Sequence, residues 1–257
     1  MNLEVLENQP TSVEFPRPIL FVHGATHGAW VWDEYWMPYF ASKGFKGYAF
    51  SLRGHGNSPS NTVLASWQHY YRDLAEVIGT LPQPPILIGH AMGGYLVQRY
   101  LEHHHEIPLA VLVASVPPKG MIYSYRQSVM KYSNQFIQKP AEFASSNSDL
   151  SKRFVFASRR LGNHLGYYHR HLKLDSWRAM LWDVSAHPPR PERVTTPMLV
   201  LGATYDWLIP RDSVEATAHA YQTQSTMFKI AHNMMLEPGW QAVADHIMAW
   251  LQHQTEA

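Results

Sequence analysis

The chain has 257 residues, 46% hydrophobic and 16% charged, the balance of one large folded domain or two small ones rather than of a disordered polymer. A formal charge of +1 supplies no field for a nucleic acid or an anionic membrane, and the lack of cysteine excludes disulfides, thiolate metal sites and a cysteine nucleophile. The opening stretch MNLEVLENQPTSVEFPRP has neither the basic segment nor the apolar core of a secretory signal, and no later apolar run reaches the roughly 20 residues that span a bilayer, so a cytoplasmic protein with no membrane span is expected.

In chain order, the first apolar runs are PILFVHG (18–24), GYAFSLRG (47–54) and PILIGH (85–90). LAVLVASV (109–116), MLVLGA (198–203) and TMFKIAH (226–232) follow. Their continuous rather than alternating apolarity predicts strands buried on both faces, hence a mostly parallel sheet. Between them, residues 66–81 set Trp67, Tyr70, Tyr71, Leu74, Val77 and Leu81 at helical spacing behind Ser66, a suitable N-cap. Trp240, Val243, Ile247, Trp250 and Leu251 repeat the pattern near the carboxyl end. Strand and helix in alternation predict an α/β fold with an open, doubly wound, mostly parallel sheet.

The rhythm breaks between Pro117 and Arg193, where Met and aromatic residues are frequent, no buried strand is evident, and prolines at 117, 118, 188, 189 and 191 punctuate the ends. This segment, 117–193, is expected to be a helical cap inserted into a core made of residues 1–116 and 194–257. Aromatic residues at helical spacing are more often ordinary core than ligand contacts, so none in the cap is assigned to a substrate.

The chemistry centres on LIGHAMGGYL (87–96). Gly89-His90-Ala91-Met92-Gly93 has the glycine spacing of G-x-S-x-G, a sharp strand-to-helix turn that lifts its central side chain above a sheet, with alanine where the serine belongs. By itself such a turn is more often structural. The flanks supply context: His23-Gly24-Ala25 ends the first apolar run, and Arg53-Gly54-His55-Gly56-Asn57-Ser58 follows the second. Together these stretches resemble the α/β-hydrolase family, in particular its esterase, lipase and lysophospholipase-like members, over most of the chain outside 117–193.

The resemblance implies a nucleophile, acid, base order along the chain. It puts Ala91 at the nucleophile position, Asp206 after MLVLGA as the acid and His232 after the last strand as the base. It also implies that the backbone N–H groups of Ala25 and Met92 form an oxyanion hole. Asp206 would orient His232, whose other ring nitrogen would face position 91. Asp183 and Asp212 are weaker acids, the first in the cap and the second at the start of a helix, where a carboxylate suits the dipole. His55 reads as structural, and His103-His104-His105 as a solvated helix end rather than a metal site, because successive helical residues point in different directions. Neither a cofactor nor a metal is expected.

Alanine forms no acyl-enzyme. With Asp206, His232 and the oxyanion loop all present, the reading that fits is a serine ester hydrolase for a small-molecule or lipid-like ester, in which serine 91 has been replaced, most simply by an introduced Ser→Ala substitution. Two other classes use the same residues: a non-catalytic ligand-binding relative, and a cofactor-free lyase or dioxygenase in which the His232–Asp206 pair abstracts a proton.

Overall fold

A computed structural model of the protein describes residues 2–59, 65–138, 164–173 and 187–256. Seven strands form one sheet: β1 (Val5–Asn8), β2 (Ile19–Val22), β3 (Gly47–Phe50), β4 (Ile86–His90), β5 (Ala110–Val113), β6 (Met198–Ala203) and β7 (Ser225–Phe228). Their spatial order is β1-β3-β2-β4-β5-β6-β7, with β1 antiparallel to β3 and the other neighbours parallel.

β2 through β6 are buried along their whole length, and alternate residues point into two different apolar layers. Ile19, Phe21, Ile86, Ile88, Val111, Val113, Leu199 and Leu201 face one layer, while Leu20, Val22, Leu87, Leu112 and Val200 face the other. This is the two-sided burial that continuous apolar runs demand. The first layer is closed by α1 (Trp30–Asp33), α2 (Trp36–Ser42) and α8 (Trp240–Glu256), through Trp32, Trp36, Phe40, Val243, Ile247 and Leu251. The second is closed by α3 (Trp67–Thr80), α4 (Met92–Leu101) and α7 (Arg211–Ala220), through Trp67, Tyr70, Leu74, Tyr95, Leu96 and Val214. Ser66 does precede α3, and its own N–H donates to His69 Nδ1 at 3.1 Å, which fixes the first turn.

Two edge strands depart from the sequence reading. β1 is absent from the apolar runs because its burial alternates between exposed and half-buried, a pattern with no continuous apolar signature. β7 is half-buried rather than enclosed, since only β6 pairs with it. Within 117–193, the described residues contain no strand: α5 (Gly120–Gln138), α6 (His164–His171) and a short 3-10 turn (Pro191–Arg193) are the regular elements. α6 is docked on the core through Tyr168, fully buried with its ring 5.8 Å from that of Trp30, and through the Lys173 N–H, which donates to the Thr26 carbonyl at 2.9 Å.

The topology fixes where a site can form. From β2 the chain moves outward to β3 and then returns to β4 on the other side of β2. Beyond the carboxyl ends of β2 and β4 the connecting loops part, leaving the crevice where open α/β sheets bind ligands. The loop after β2 carries Ala25, and the turn after β4 carries Ala91.

Candidate active site

Ala91 joins β4 to α4 with φ 49° and ψ −114°, a backbone conformation that a residue with a Cβ rarely adopts and that costs on the order of 1–3 kcal/mol. Hydrogen bonds over-determine it. Its N–H donates to Val113 O at 3.0 Å, and its carbonyl accepts from Tyr95 N at 3.2 Å and Val116 N at 3.1 Å. Close packing does the rest: a Cβ on Gly93 would lie 2.3 Å from Val22 O and 2.4 Å from His23 O, so only glycine lets α4 start this close to β2. Across the crevice, a Cβ on Gly24 would lie 2.8 Å from His90 Nδ1 and 3.0 Å from Ala91 Cβ. The loop after β2 and the turn after β4 thus touch through a residue without a side chain.

Asp206 and His232 come from loops that follow β6 and β7. Asp206 is 1% exposed and His232 5% exposed. His232 Nδ1 lies 2.7 Å from Asp206 Oδ2; a carboxylate only accepts, so Nδ1 carries the proton and Nε2 is the nitrogen left for the cavity. The second carboxylate oxygen, Oδ1, accepts the backbone N–H groups of Leu208 at 2.8 Å and Ile209 at 2.9 Å. One carboxylate therefore orients the imidazole and also fastens two residues of the cavity wall.

His90, next to the elbow, is fully buried, and its Nε2 donates to the backbone carbonyl of His232 at 3.0 Å. Burial, reinforced by repulsion from His232 and His27, holds the His90 imidazole well below the usual histidine range, so the ring is neutral. Its ring centroid is 4.7 Å from that of His232. His23 is also buried; its Nε2 accepts the Leu52 N–H at 3.0 Å, which ties the loop after β2 to the loop after β3. His55 lies beside it, ring centroids 5.2 Å apart, in a structural position away from the cavity.

A cavity of about 170 Å³ is lined by Ala25, Ala91, Met92 and His232, with Val116, Met121, Leu208 and Ile209 forming much of its apolar wall. Neither the Ala25 nor the Met92 N–H donates to an acceptor among the described residues. Both border the cavity, and that of Met92 opens helix α4. The five residues that sequence reasoning singled out are thus assembled at one place: four line the cavity, and Asp206 stands behind His232. Asp212 is exposed in the first turn of α7, and Asp183 lies outside the described residues. His104 stacks on Tyr100 just past the end of α4, and no cluster of metal-ligating side chains occurs among the described residues. No helix there is long and apolar enough to cross a membrane.

The sequence reading passed over His90, His27 and the Leu208-Ile209 wall. The wall had a signal, since Trp207-Leu208-Ile209 directly follows Asp206. The role of His90 had none, because its partner is a backbone carbonyl 142 residues away.

A doubly wound sheet with a sharp turn after β4 and a carboxylate–histidine pair carried on the loops after β6 and β7 is the architecture of an α/β-hydrolase. The model of the alpha/beta hydrolase family matches residues 19–246, and the chain belongs to that family. Among curated proteins, norfluorocurarine synthase 1 from Strychnos nux-vomica is 36% identical over 106 residues, 40% of each chain. A pFDCC methylesterase from Arabidopsis thaliana is 39% identical over 111 residues, 41% of this chain and 42% of its own. The matched stretches thus span about two fifths of those relatives' length. Among solved structures, the monoacylglycerol lipase of Paleococcus ferrophilus superposes with a TM-score of 0.74 at 20% identity, covering 99% of this chain and 100% of the other, a likeness of fold.

Proposed function

We propose that the site is built to hydrolyse small carboxylic esters and that Ala91 stands where the attacking serine belongs. The observation that carries this reading is the convergence on one cavity of an elbow in strained geometry, an oriented His232–Asp206 pair and two backbone N–H groups with no acceptor among the described residues. A methylesterase among the relatives supports the ester class.

With serine at 91, the chemistry follows from the geometry. His232 Nε2 takes the hydroxyl proton as Oγ attacks the ester carbonyl, and Asp206 stabilises the imidazolium that results. The Ala25 and Met92 N–H groups receive the oxygen on which charge develops, where one such donor is worth roughly 100- to 1,000-fold in rate. His232 then returns its proton to the departing alkoxide, and water repeats the sequence on the acyl-enzyme. Alanine supplies no attacking oxygen, so the chain with Ala91 holds an ester without entering this cycle. We further take residues 117–193 as a cap that shapes substrate choice, because Met121 at the start of α5 already lines the cavity.

The decisive experiment is Ala91→Ser assayed on 4-nitrophenyl esters from acetyl to hexanoyl. Loss of a triad nucleophile costs about a millionfold in turnover, on the order of 8 kcal/mol, and a gain of that scale is expected. A folded Ala91→Ser protein that hydrolyses no ester, thioester or lactone defeats the reading. Oxygen uptake or carbon–carbon cleavage by the Ala91 protein then identifies the lyase or dioxygenase class instead.

A further inference from the structure

The net charge of +1 hides an uneven distribution. At the carboxyl end of α4, the end away from Ala91, two cavities of about 380 and 290 Å³ adjoin through the residues they share, Arg99, His103 and His187. No residue that lines the cavity at Ala91 lines either of them. The first adds Arg190 and Arg193, with Glu102 and Glu192 as its carboxylates. The second adds Arg72 and an aromatic side formed by Trp67 and Tyr71, with the Gln68 amide beside it. Among the described residues, four arginines thus stand against two glutamates, and one of those, Glu102, is buried and already paired with Arg99 at 2.8 Å.

The cationic side is held in place before any ligand arrives. Arg99 Nη1 donates to Glu102 Oε1 at 2.8 Å and to the Pro188 carbonyl at 3.2 Å. The Tyr95 hydroxyl donates to the His187 carbonyl at 3.2 Å, so α4 grips two successive residues of the segment that carries Arg190 and Arg193. Beyond them the N–H groups of Arg193 and Val194 donate to the carbonyls of Arg190 and Pro191, each at 3.0 Å, and prolines at 188, 189 and 191 fix φ. Arg190 and Arg193 therefore leave a stiff backbone. Their guanidinium groups and that of Arg72 make no hydrogen bond or ion pair among the described residues. Arg99 Nε is enclosed and has no acceptor there either. A buried charged donor without an acceptor is costly, and the Nε and Nη2 edge of a guanidinium suits two oxygens of one anion.

We propose that this groove binds a flat-ringed phosphate monoester, with AMP as its simplest probe, the phosphate among Arg99, Arg190 and Arg193 and the ring against Tyr71. Three guanidinium groups line one cavity, and a phosphate monoester brings close to two negative charges and three acceptor oxygens to meet them. His103 and His187 stand where the two cavities meet, each with a ring N–H to donate to the linking oxygens. Tyr71 is half-buried and shares its cavity with Arg72 and Gln68, a face for stacking beside an amide for the edge of a heterocycle. An aliphatic phosphate leaves the aromatic side unused, and an uncharged nucleoside leaves the arginine side unused. Binding here requires neither an oxygen at position 91 nor His232, so it stands apart from ester hydrolysis.

Isothermal titration of the protein at pH 8.0 with AMP, ribose 5-phosphate and adenosine separates the two halves of the groove. Ribose 5-phosphate should bind about 5- to 100-fold more weakly than AMP, the range of one stacked base, and adenosine at least about tenfold more weakly. Raising NaCl from about 50 to about 500 mM should weaken both phosphates and leave adenosine unchanged. Arg190→Ala combined with Arg193→Ala, both exposed positions, should weaken the two phosphates about tenfold or more with melting unaltered. Tyr71→Ala should bring AMP down to the affinity of ribose 5-phosphate without changing the latter. Glu192→Gln, which removes a like charge from the cavity, should tighten AMP about two- to fivefold, a gain that a purely structural role does not produce. AMP binding that survives the double arginine substitution, adenosine or ribose 5-phosphate binding as tightly as AMP, or no heat from AMP at roughly 5 mM overturns the proposal.

Discussion

Gly93, at the start of the helix behind Ala91, has no room for even a methyl group, whereas Met92 and Met121 face the cavity with side chains that bend through three torsions. The elbow side is set by close approach: Gly93 against the backbone of Val22 and His23, and Gly24 against the His90 ring and the Ala91 Cβ. The opposite wall is set by side chains, with Leu208 and Ile209 hung from Asp206 and Met121 carried on α5. The contrast separates two properties. Where position 91 sits is decided by close contacts around two glycines; what fits beside it is decided by groups that repack.

The largest expected effect breaks the coupling between the two sides. In an Ala91→Ser background, Asp206→Asn should lower kcat about 10⁴-fold, roughly 5.5 kcal/mol, as asparagine does in a serine-protease triad by imposing the wrong imidazole tautomer. The amide oxygen can still accept from Leu208 and Ile209, so KM for hexanoyl esters should move little. Asp206→Ala should match that loss of turnover and also leave the buried Ile209 N–H and the half-buried Leu208 N–H without their acceptor, lowering urea stability by about 1–3 kcal/mol more than the asparagine does.

Next comes the rigid side. Gly93→Ala should destabilise the protein by about 3 kcal/mol, measured by denaturant unfolding, because the obstructing atoms are backbone oxygens that cannot swing away. A cost below 1 kcal/mol would show that the elbow yields, and the contrast would be lost.

A smaller effect depends on pH. His90 stays neutral in the folded protein while the unfolded chain protonates its histidines near pH 6.5, so below that value the unfolded state binds more protons and stability falls with acid. His90 should contribute up to about 1.4 kcal/mol per pH unit, and urea titrations from pH 7.5 to 5 measure the slope. His90→Gln keeps a donor for the His232 carbonyl and should flatten it by that amount.

The adjustable wall should give the smallest change. Met121→Ala in the Ala91→Ser protein should shift the hexanoyl-to-acetyl ratio of kcat/KM by about tenfold or less, with stability altered by under 1 kcal/mol, since Met121 is half-buried and lines the cavity. A shift in acetyl turnover larger than that in chain-length preference would place Met121 with the rigid side.

What the sequence disclosed follows the same division. The central strands were legible because burial on both faces leaves unbroken apolar runs, and α3 because its apolar stripe begins behind a capping serine. The elbow was legible because close approach requires glycine, and glycine spacing survives in one dimension. β1 was not, since an edge strand with exposed alternate residues carries no such run. Nor was the His90 bond to the His232 carbonyl, because a backbone acceptor has no residue type to search for.

The two oxygens of Asp206 also bear on how such a site ages. Held together only by catalysis, an acid and a base would be expected to drift once their serine is lost, and their coexistence would date that loss as recent. Here Oδ1 of Asp206 terminates two backbone N–H groups, and the His232 backbone anchors His90, so each residue serves the fold besides the role proposed for it. Selection for folding alone would preserve Asp206 through long disuse. On the proposed reading, Asp206 is therefore no clock for when Ala91 arose, and Ala91→Ser alone would supply the missing attacking oxygen.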